Sequence, residues 1–449
     1  MKKLDTLFIG FMLFSMFFGA GNLIFPPFLG AGAGTNFWTG MLGFIVTGVG
    51  LPVLVIFAVS LVKGGAQAMG DRVHPVFSTA FMVAVYLCIG PFLAIPRNAN
   101  VAFEMGITPF LPESTNTALI LLLFSVVFFG IVYFISLNPS KMEQYMGRFI
   151  APTLVVAIVI LIAVGLFKLD TPFLNPTEGY QSGAFFTGFL EGYNTMDALA
   201  SLAFGIVILN SIQKRGIENR SQLTRYTFKA GMIAGILLSA IYVGIGLIGA
   251  KMAGHGTFAD GTQILSSAAT LLFGPSGTLL LGLIFTLACF TTVVGLTTAC
   301  GQYFSNLLPK LSYKTVVLLV TLVGFTLSNL GLAQILKVSV PFLVMTYPLL
   351  IVLVVLTFFS RYFKNVKAVY GSSMLFTGLF ALISGLNAFG LDLGPVQDMK
   401  NMLPLASAGL EWIVPALVGT ALGLVMSQFS KKVETVHDME IKGYTKMID

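Results

Sequence analysis

Apolar residues run through this chain in long unbroken stretches, without the two-residue alternation of a half-buried strand. Twelve of these stretches approach or exceed the length of about 20 residues that a helix needs to cross roughly 30 Å of hydrocarbon. They lie near residues 6–29, 37–62, 78–103, 117–138, 147–168, 184–212, 226–253, 276–308, 314–331, 334–359, 370–390 and 407–428. Continuous runs exclude the strands of a transmembrane barrel, which alternate apolar and polar positions. The first run is too long for a signal peptide and is read as a retained helix. The pattern predicts an all-α integral membrane protein with twelve transmembrane helices.

Composition agrees with the pattern. Of 449 residues 56% are hydrophobic and 10% charged, with mean hydropathy +0.91, whereas soluble domains carry about 25% charged residues. Such a chain has no soluble surface, so water-soluble enzyme classes are excluded. The net charge of +7 bears on orientation, and no nucleic-acid partner is expected. With the N-terminus inside, 20 of the 25 Lys and Arg residues fall in inner segments. Lys168, Lys251 and Lys400 fall outside, and Arg97 and Lys337 sit near outer helix ends, where they snorkel. This bias predicts that both termini are cytoplasmic. Cys88, Cys289 and Cys300 lie in apolar runs and His74, His255 and His437 in scattered polar segments, so neither a disulfide framework nor a histidine metal site is expected.

Breaks in the spans point to function, because unwound backbone inside a bilayer is tolerated only where it is buried in protein or lines a cavity. The first span carries Ser15, then Gly19-Ala20-Gly21-Asn22 and the pair Pro26-Pro27. Proline removes a backbone donor and glycine lowers the cost of unwinding. A kinked helix with close packing is the competing reading. The sixth span carries Glu191-Gly192-Tyr193-Asn194-Thr195-Met196-Asp197, with two carboxylates of the kind that normally face a cavity or a partner. An internal bond of purely structural value is the alternative. Broken helices in corresponding positions of two inverted halves mark a transporter binding site. Half-helix N-termini there offer amides to an anion and exposed carbonyls seat a small cation. The eighth span adds Ala288, Thr291, Thr292, Thr297 and Thr298, hydroxyls suited to Na⁺ unless they bond their own helix. Gly244, Gly246 and Gly249 match G-x-G-x-x-G within a span and are assigned to helix packing, since a dinucleotide site needs a preceding strand. No Walker A motif is present. A short outer helix is expected within residues 254–275, with Asp260 near its start, acting as a lid or lying on the surface.

The segments Gly19 to Pro27, Pro96-Arg97-Asn98-Ala99-Asn100 and Glu191 to Asp197, set in twelve spans over about 440 residues, resemble the bacterial branched-chain amino acid:cation symporter family, also called the LIVCS family. The resemblance implies uptake of leucine, isoleucine and valine across the bacterial inner membrane, driven by a Na⁺ or proton gradient. It also implies the leucine-transporter fold, a 5+5 inverted repeat with broken helices 1 and 6. Residues 1–168 then form the first repeat, 169–360 the second, 361–428 two additional helices and 429–449 a cytoplasmic tail. In that fold the deeper sodium site uses helix-one carbonyls, here Ser15 and Phe18, with Ala288, Thr291 and Thr292. The substrate sits at both breaks, which points to Ala20, Gly21, Asn22, Tyr193, Asn194 and Thr195. Phe18, Tyr86, Tyr193 and Leu296 are apolar or aromatic candidates for the side-chain pocket. The sequence departs from the sodium/neurotransmitter branch at Ile24, where that branch carries a gate arginine, and its helix-six segment aligns only loosely.

The expectation is therefore a symporter and not an enzyme, needing no cofactor beyond its coupling ion. Its partners are the substrate, the cation and lipid. Asp197 or Glu191 would carry charge if protons replace Na⁺. A neutral amino acid carrier of broader specificity is the other alternative within transport. A membrane-embedded enzyme is disfavoured because no histidine lies in a span, and a channel because no repeated pore-lining pattern is present.

Overall fold

A computed structural model describes residues 3–112 and 115–429. Residues 430–449, assigned above to the tail, lie outside the described residues. Described secondary structure is helical, without strands. The first apolar stretch is divided into α1 (Lys3–Phe17) and α2 (Ala20–Ala33), followed by α3 (Phe37–Ile45) and α4 (Leu51–Leu61). The third comprises α5 (Pro75–Leu87) and α6 (Ala94–Gly106), and the next two are α7 (Thr117–Ser136) and α8 (Ala151–Lys168). The sixth stretch is divided into α9 (Ala184–Glu191) and α10 (Asp197–Gln213). Then come α11 (Arg220–Met252), the short α12 (Gly261–Phe273), α13 (Pro275–Leu307), α14 (Tyr313–Ser328), α15 (Leu332–Phe359), α16 (Val366–Ala388) and α17 (Ile413–Phe429).

Helices occupy all twelve apolar stretches, but their continuity differs from the sequence expectation. Among the described residues eight helical runs are long and apolar enough to cross a membrane, or nine if the bent pair α9 and α10 is one span. Leu4–Phe17, Tyr313–Ser328 and Ile413–Phe429 are apolar but shorter. The first of these is short because Gly19 cuts the stretch, while helix continues from Ala20 to Leu61. The third stretch also has a break that the sequence reading did not assign. A π-turn at Cys88–Phe92 contains non-helical backbone at Gly90 (φ −90°, ψ −124°), next to Pro91.

Packing around the two broken helices is reciprocal. The α2 half of the first lies on α11, the helix that follows the second; α9 of the second lies on α3, the helix that follows the first. Both contacts are backbone against backbone at glycine. A Cβ at Gly30 would stand 1.9 Å from Gly246 O, and one at Gly249 2.0 Å from Pro27 O. Across the other pair, a Cβ at Gly43 would stand 2.0 Å from Phe185 O, and one at Gly188 1.9 Å from Gly40 O. Small residues are what permit helix axes to approach this closely in a membrane, so Gly246 and Gly249 serve packing, as their sequence context implied. Helices α6 and α13 cross beside this core, and α15, α16 and α17 form a flank. The short helix α12 is capped by Asp260, whose Oδ1 accepts from the amides of Thr262 (2.9 Å) and Gln263 (3.1 Å). It packs on α2 through Gly261, where a Cβ would meet Ile24 O at 1.8 Å.

Candidate functional site

The two breaks meet. Gly19, extended at φ −126° and ψ −158°, separates α1 from α2. Met196, at φ 65°, separates the short 3-10 turn Gly192–Thr195 from α10, and the two halves bend by 44°. A left-handed non-glycine residue in a membrane helix is strained by about 1–3 kcal/mol, and such strain gathers at functional sites. The side chain of Asn22, in the first turn of α2, donates to Asp197 Oδ2 at 2.5 Å. It also bonds the hydroxyl of Tyr242 on α11, which itself donates to Asp197 Oδ2 at 3.2 Å. Asp197 thus ties both broken helices to α11 through one carboxylate oxygen. It lies in the first turn of α10, where the helix dipole favours a negative charge.

Helix α6 supplies the other partners. Asn98 Oδ1 accepts from the amide of Ala20 at 2.9 Å, and its own amide donates to Ala94 O at 2.7 Å. The amide of Gly19 donates to Asn22 Oδ1 at 3.0 Å. Two donors at the start of α2 are therefore taken by side-chain amides. Arg97 donates from Nη1 to Asn194 O at 3.0 Å and from Nη2 to Thr195 O at 3.5 Å. These are carbonyls left exposed where the second helix breaks.

Between the breaks lies a cavity of about 20 Å³, space for a water molecule. Of the residues singled out in the sequence, Ala20, Gly21, Asn22, Thr195, Asp197, Thr292 and Leu296 line it. Ser15, Ala288 and Thr291 come together beside it. The Thr291 hydroxyl is 2.7 Å from Ser15 O and 3.0 Å from Leu287 O and Ala288 O. Thr292 Oγ1 is buried without a hydrogen-bond partner, as are the hydroxyls of Thr297 and Thr298. The Thr291 hydroxyl thus also bonds carbonyls of its own helix, the alternative weighed from the sequence, while its bond to Ser15 O joins α13 to α1.

Other predicted residues lie elsewhere. Phe18 is buried and stacks on Phe14 with ring centroids 5.2 Å apart. Tyr193, Asn194 and Glu191 line a second, wider cavity of about 830 Å³ between α9, α15, α16 and the segment before α17. There Tyr193 stacks on Tyr347 at 4.2 Å and Asn194 Nδ2 donates to Glu191 at 3.2 Å. Only the backbone carbonyl of Asn194 faces the first cavity's arginine. Tyr86 lines neither cavity; its ring stacks on Tyr303 at 4.0 Å.

Among the residues of the site that the sequence did not assign to it are Arg97, Asn98 and Met196, which stood only in motif segments, and Tyr242. Arg97 is corrected outright. It does not snorkel at an outer helix end but is 3% exposed and lines the inner cavity. The signal was present, because three polar residues at 97, 98 and 100 follow Gly90-Pro91 within an apolar span. Met196 and Tyr242 carried no comparable signal.

Comparison with known proteins follows the same lines. The model of the family described as branched-chain amino acid transport protein matches residues 2–430. The branched-chain amino acid permease BraB of Bacillus subtilis is 45% identical, over 95% of this chain and 96% of its own length. The permease BrnQ of Escherichia coli is 39% identical, over 95% and 96%. Among solved structures, Mhp1, a nucleobase-cation-symport-1 family transporter, in a closed conformation with bromovinylhydantoin bound, matches with TM-score 0.65. Identity to it is 13%, with 98% of this chain and 96% of that one covered. At that identity the likeness speaks for the fold alone. The relatives are permeases, which are transporters and not enzymes. The chain belongs to the branched-chain amino acid transport protein family, a family of multi-pass membrane transporters whose relatives named here are bacterial.

Proposed function

We propose that this protein is a secondary active symporter that imports leucine, isoleucine and valine with Na⁺ by alternating access. The observation that carries the reading is the joining of three features at one place. Two helix breaks face a common cavity, the oxygen cluster of Ser15, Ala288 and Thr291 adjoins it, and α1 and α13 hold that cluster together. A cation bound there would pull α1 toward α13 and set the position of the first break. Ion occupancy and substrate occupancy are then coupled through Gly19–Asn22, as symport requires.

The architecture proposed is twelve crossings in a 5+5 inverted repeat with two additional helices. Reciprocal glycine packing of α2 on α11 and α9 on α3 supports it. Both termini are assigned to the cytoplasm from the distribution of Lys and Arg, in a bacterial inner membrane. The cavity wall at Leu296 is apolar, so an aliphatic side chain gains about 0.8 kcal/mol per buried CH₂. A single methylene separates valine from the other two substrates, and an apolar pocket resolves it only modestly.

A second reading, proton coupling of the same substrates, rests on the buried Asp197 at the junction of both breaks. Competition uptake tests the substrate class. Unlabelled valine and isoleucine are expected to displace labelled leucine from one shared site, and lysine is expected not to. Displacement by lysine, or its absence with valine, contradicts the branched-chain reading.

A further inference from the structure

Arg97 is a buried cation in the cavity between the breaks, and it makes no direct ion pair there. The guanidinium is always protonated and offers five N–H donors in a planar fork. Its side chain is buried, and two peptide carbonyls, Asn194 O and Thr195 O, take one bond each from Nη1 and Nη2. Its Nε has no partner. Among the described residues no carboxylate oxygen lies within 4.0 Å of it. Asp197, the acidic residue of the same cavity, instead accepts from Asn22 and Tyr242. A buried cation whose hydrogen bonds go only to neutral carbonyls, with the carboxylate of its own cavity bonded to other donors, is costly, and such groups are normally paired.

The usual anion receptor of a broken helix is largely engaged here. The amides of Gly19 and Ala20 already donate to Asn22 and Asn98. Beside them Gly21 presents no side chain to the guanidinium. A Cβ there would stand 3.0 Å from Arg97 Nη2 and 3.2 Å from Asn194 O. The first break therefore packs close against the arginine, through a residue with no side chain to separate them.

We propose that Arg97 binds the α-carboxylate of the transported amino acid, an inference that rests on the amino acid symport reading above. The substrate's carboxylate is its one anionic group, and its two oxygens match the guanidinium fork. The carboxylate takes the unpartnered Nε and one Nη and pairs with the charge of the guanidinium. Because the same guanidinium bonds the carbonyls at residues 194 and 195, carboxylate binding is transmitted directly to the second break. The competing role for Arg97 is a purely structural cap on those carbonyls.

The two roles separate by ligand chemistry. Binding of L-leucine and of L-leucinol, which has a hydroxymethyl group in place of the carboxylate, is measured by calorimetry on the purified full-length protein and its variants. For the wild type, leucine is expected to bind at least about 30-fold more tightly than leucinol, as for a buried charge pair. In Arg97→Gln the affinity for leucine is expected to fall by at least about 30-fold while that for leucinol changes by less than about 3-fold. Arg97→Lys, which keeps the charge without the fork, is expected to lie between, and it serves as the test if Arg97→Gln does not purify as a monodisperse species. If either variant weakens leucine and leucinol by the same factor, Arg97 is only a cap and the proposal falls. If wild-type protein binds no branched-chain amino acid at all, the substrate reading falls and the proposal with it.

Discussion

The two helix breaks are built from opposite halves of the peptide group. At the first, Gly19 opens the chain and exposes amides at the start of α2, which Asn22 and Asn98 cover with side-chain amide oxygens. At the second, Met196 turns the chain through a left-handed residue, and the carbonyls before it are covered by Arg97. One break is thus a set of donors quenched by neutral groups, and the other a set of acceptors quenched by a full positive charge. The caps of the first break are neutral amides, whereas the second carries an arginine able to recognise an anion. The difference assigns unlike tasks to them: the first adjoins the oxygen cluster on α13, and the second presents the charge.

The strongest test of that division removes the link between them. Asp197→Asn keeps the shape of the shared carboxylate but loses its charge, leaving two donors, Asn22 and Tyr242, competing for a neutral oxygen. Net uptake is expected to fall by about 100-fold or more, since breaking a buried charged hydrogen-bond network costs about 3–5 kcal/mol. Substrate exchange between the two sides is expected to persist if Asp197 serves coupling. Unchanged uptake with unchanged pH dependence removes Asp197 from both readings of the coupling ion.

A smaller effect is expected on the side of the first break alone. Thr291→Ala combined with Thr292→Ala removes two hydroxyls near Ser15 O, while the second break keeps every bond described for it. The apparent Na⁺ affinity is expected to fall about tenfold or more, about 1.4 kcal/mol. Leucine binding at saturating Na⁺ is expected to stay near the wild-type value. A double variant with normal Na⁺ dependence contradicts the ion site.

The smallest effect compares the two hinge residues. Met196→Gly relieves left-handed strain, so the thermal midpoint is expected to rise or hold, within about 1 kcal/mol. Gly19→Ala is expected to lower it, because a Cβ there would meet Asn98 Oδ1 at 2.6 Å and Thr292 Oγ1 at 2.7 Å. Equal destabilisation by both substitutions would show that the breaks are not built differently.

The first break was legible in the sequence because its chemistry is written in residue types. Two glycines and an asparagine interrupt an apolar run where the helix breaks, whereas Pro26 and Pro27 lie within α2, which continues through them to Ala33. The second was legible only through its carboxylates. Its hinge, Met196, is a good helix former whose conformation is imposed by packing. Arg97 was misread because a charge near a span's end ordinarily snorkels, and only the break at Gly90-Pro91 brings α6 across the cavity. Tyr86 failed to reach the cavity for a related reason: it precedes that break and stacks on α13. Helix identity was legible throughout, since apolar length alone sets it, but helix continuity was not, because breaks depend on tertiary partners.

The central claim is that cation and substrate move together through the cavity between the breaks. Uptake of labelled leucine into proteoliposomes, with an inward Na⁺ gradient at equal pH, tests it most directly. The account predicts accumulation above the equilibrium level that collapses when the Na⁺ gradient is dissipated and is lost in the Thr291→Ala, Thr292→Ala variant at low Na⁺. Equal accumulation without Na⁺, driven by a proton gradient alone, would contradict it.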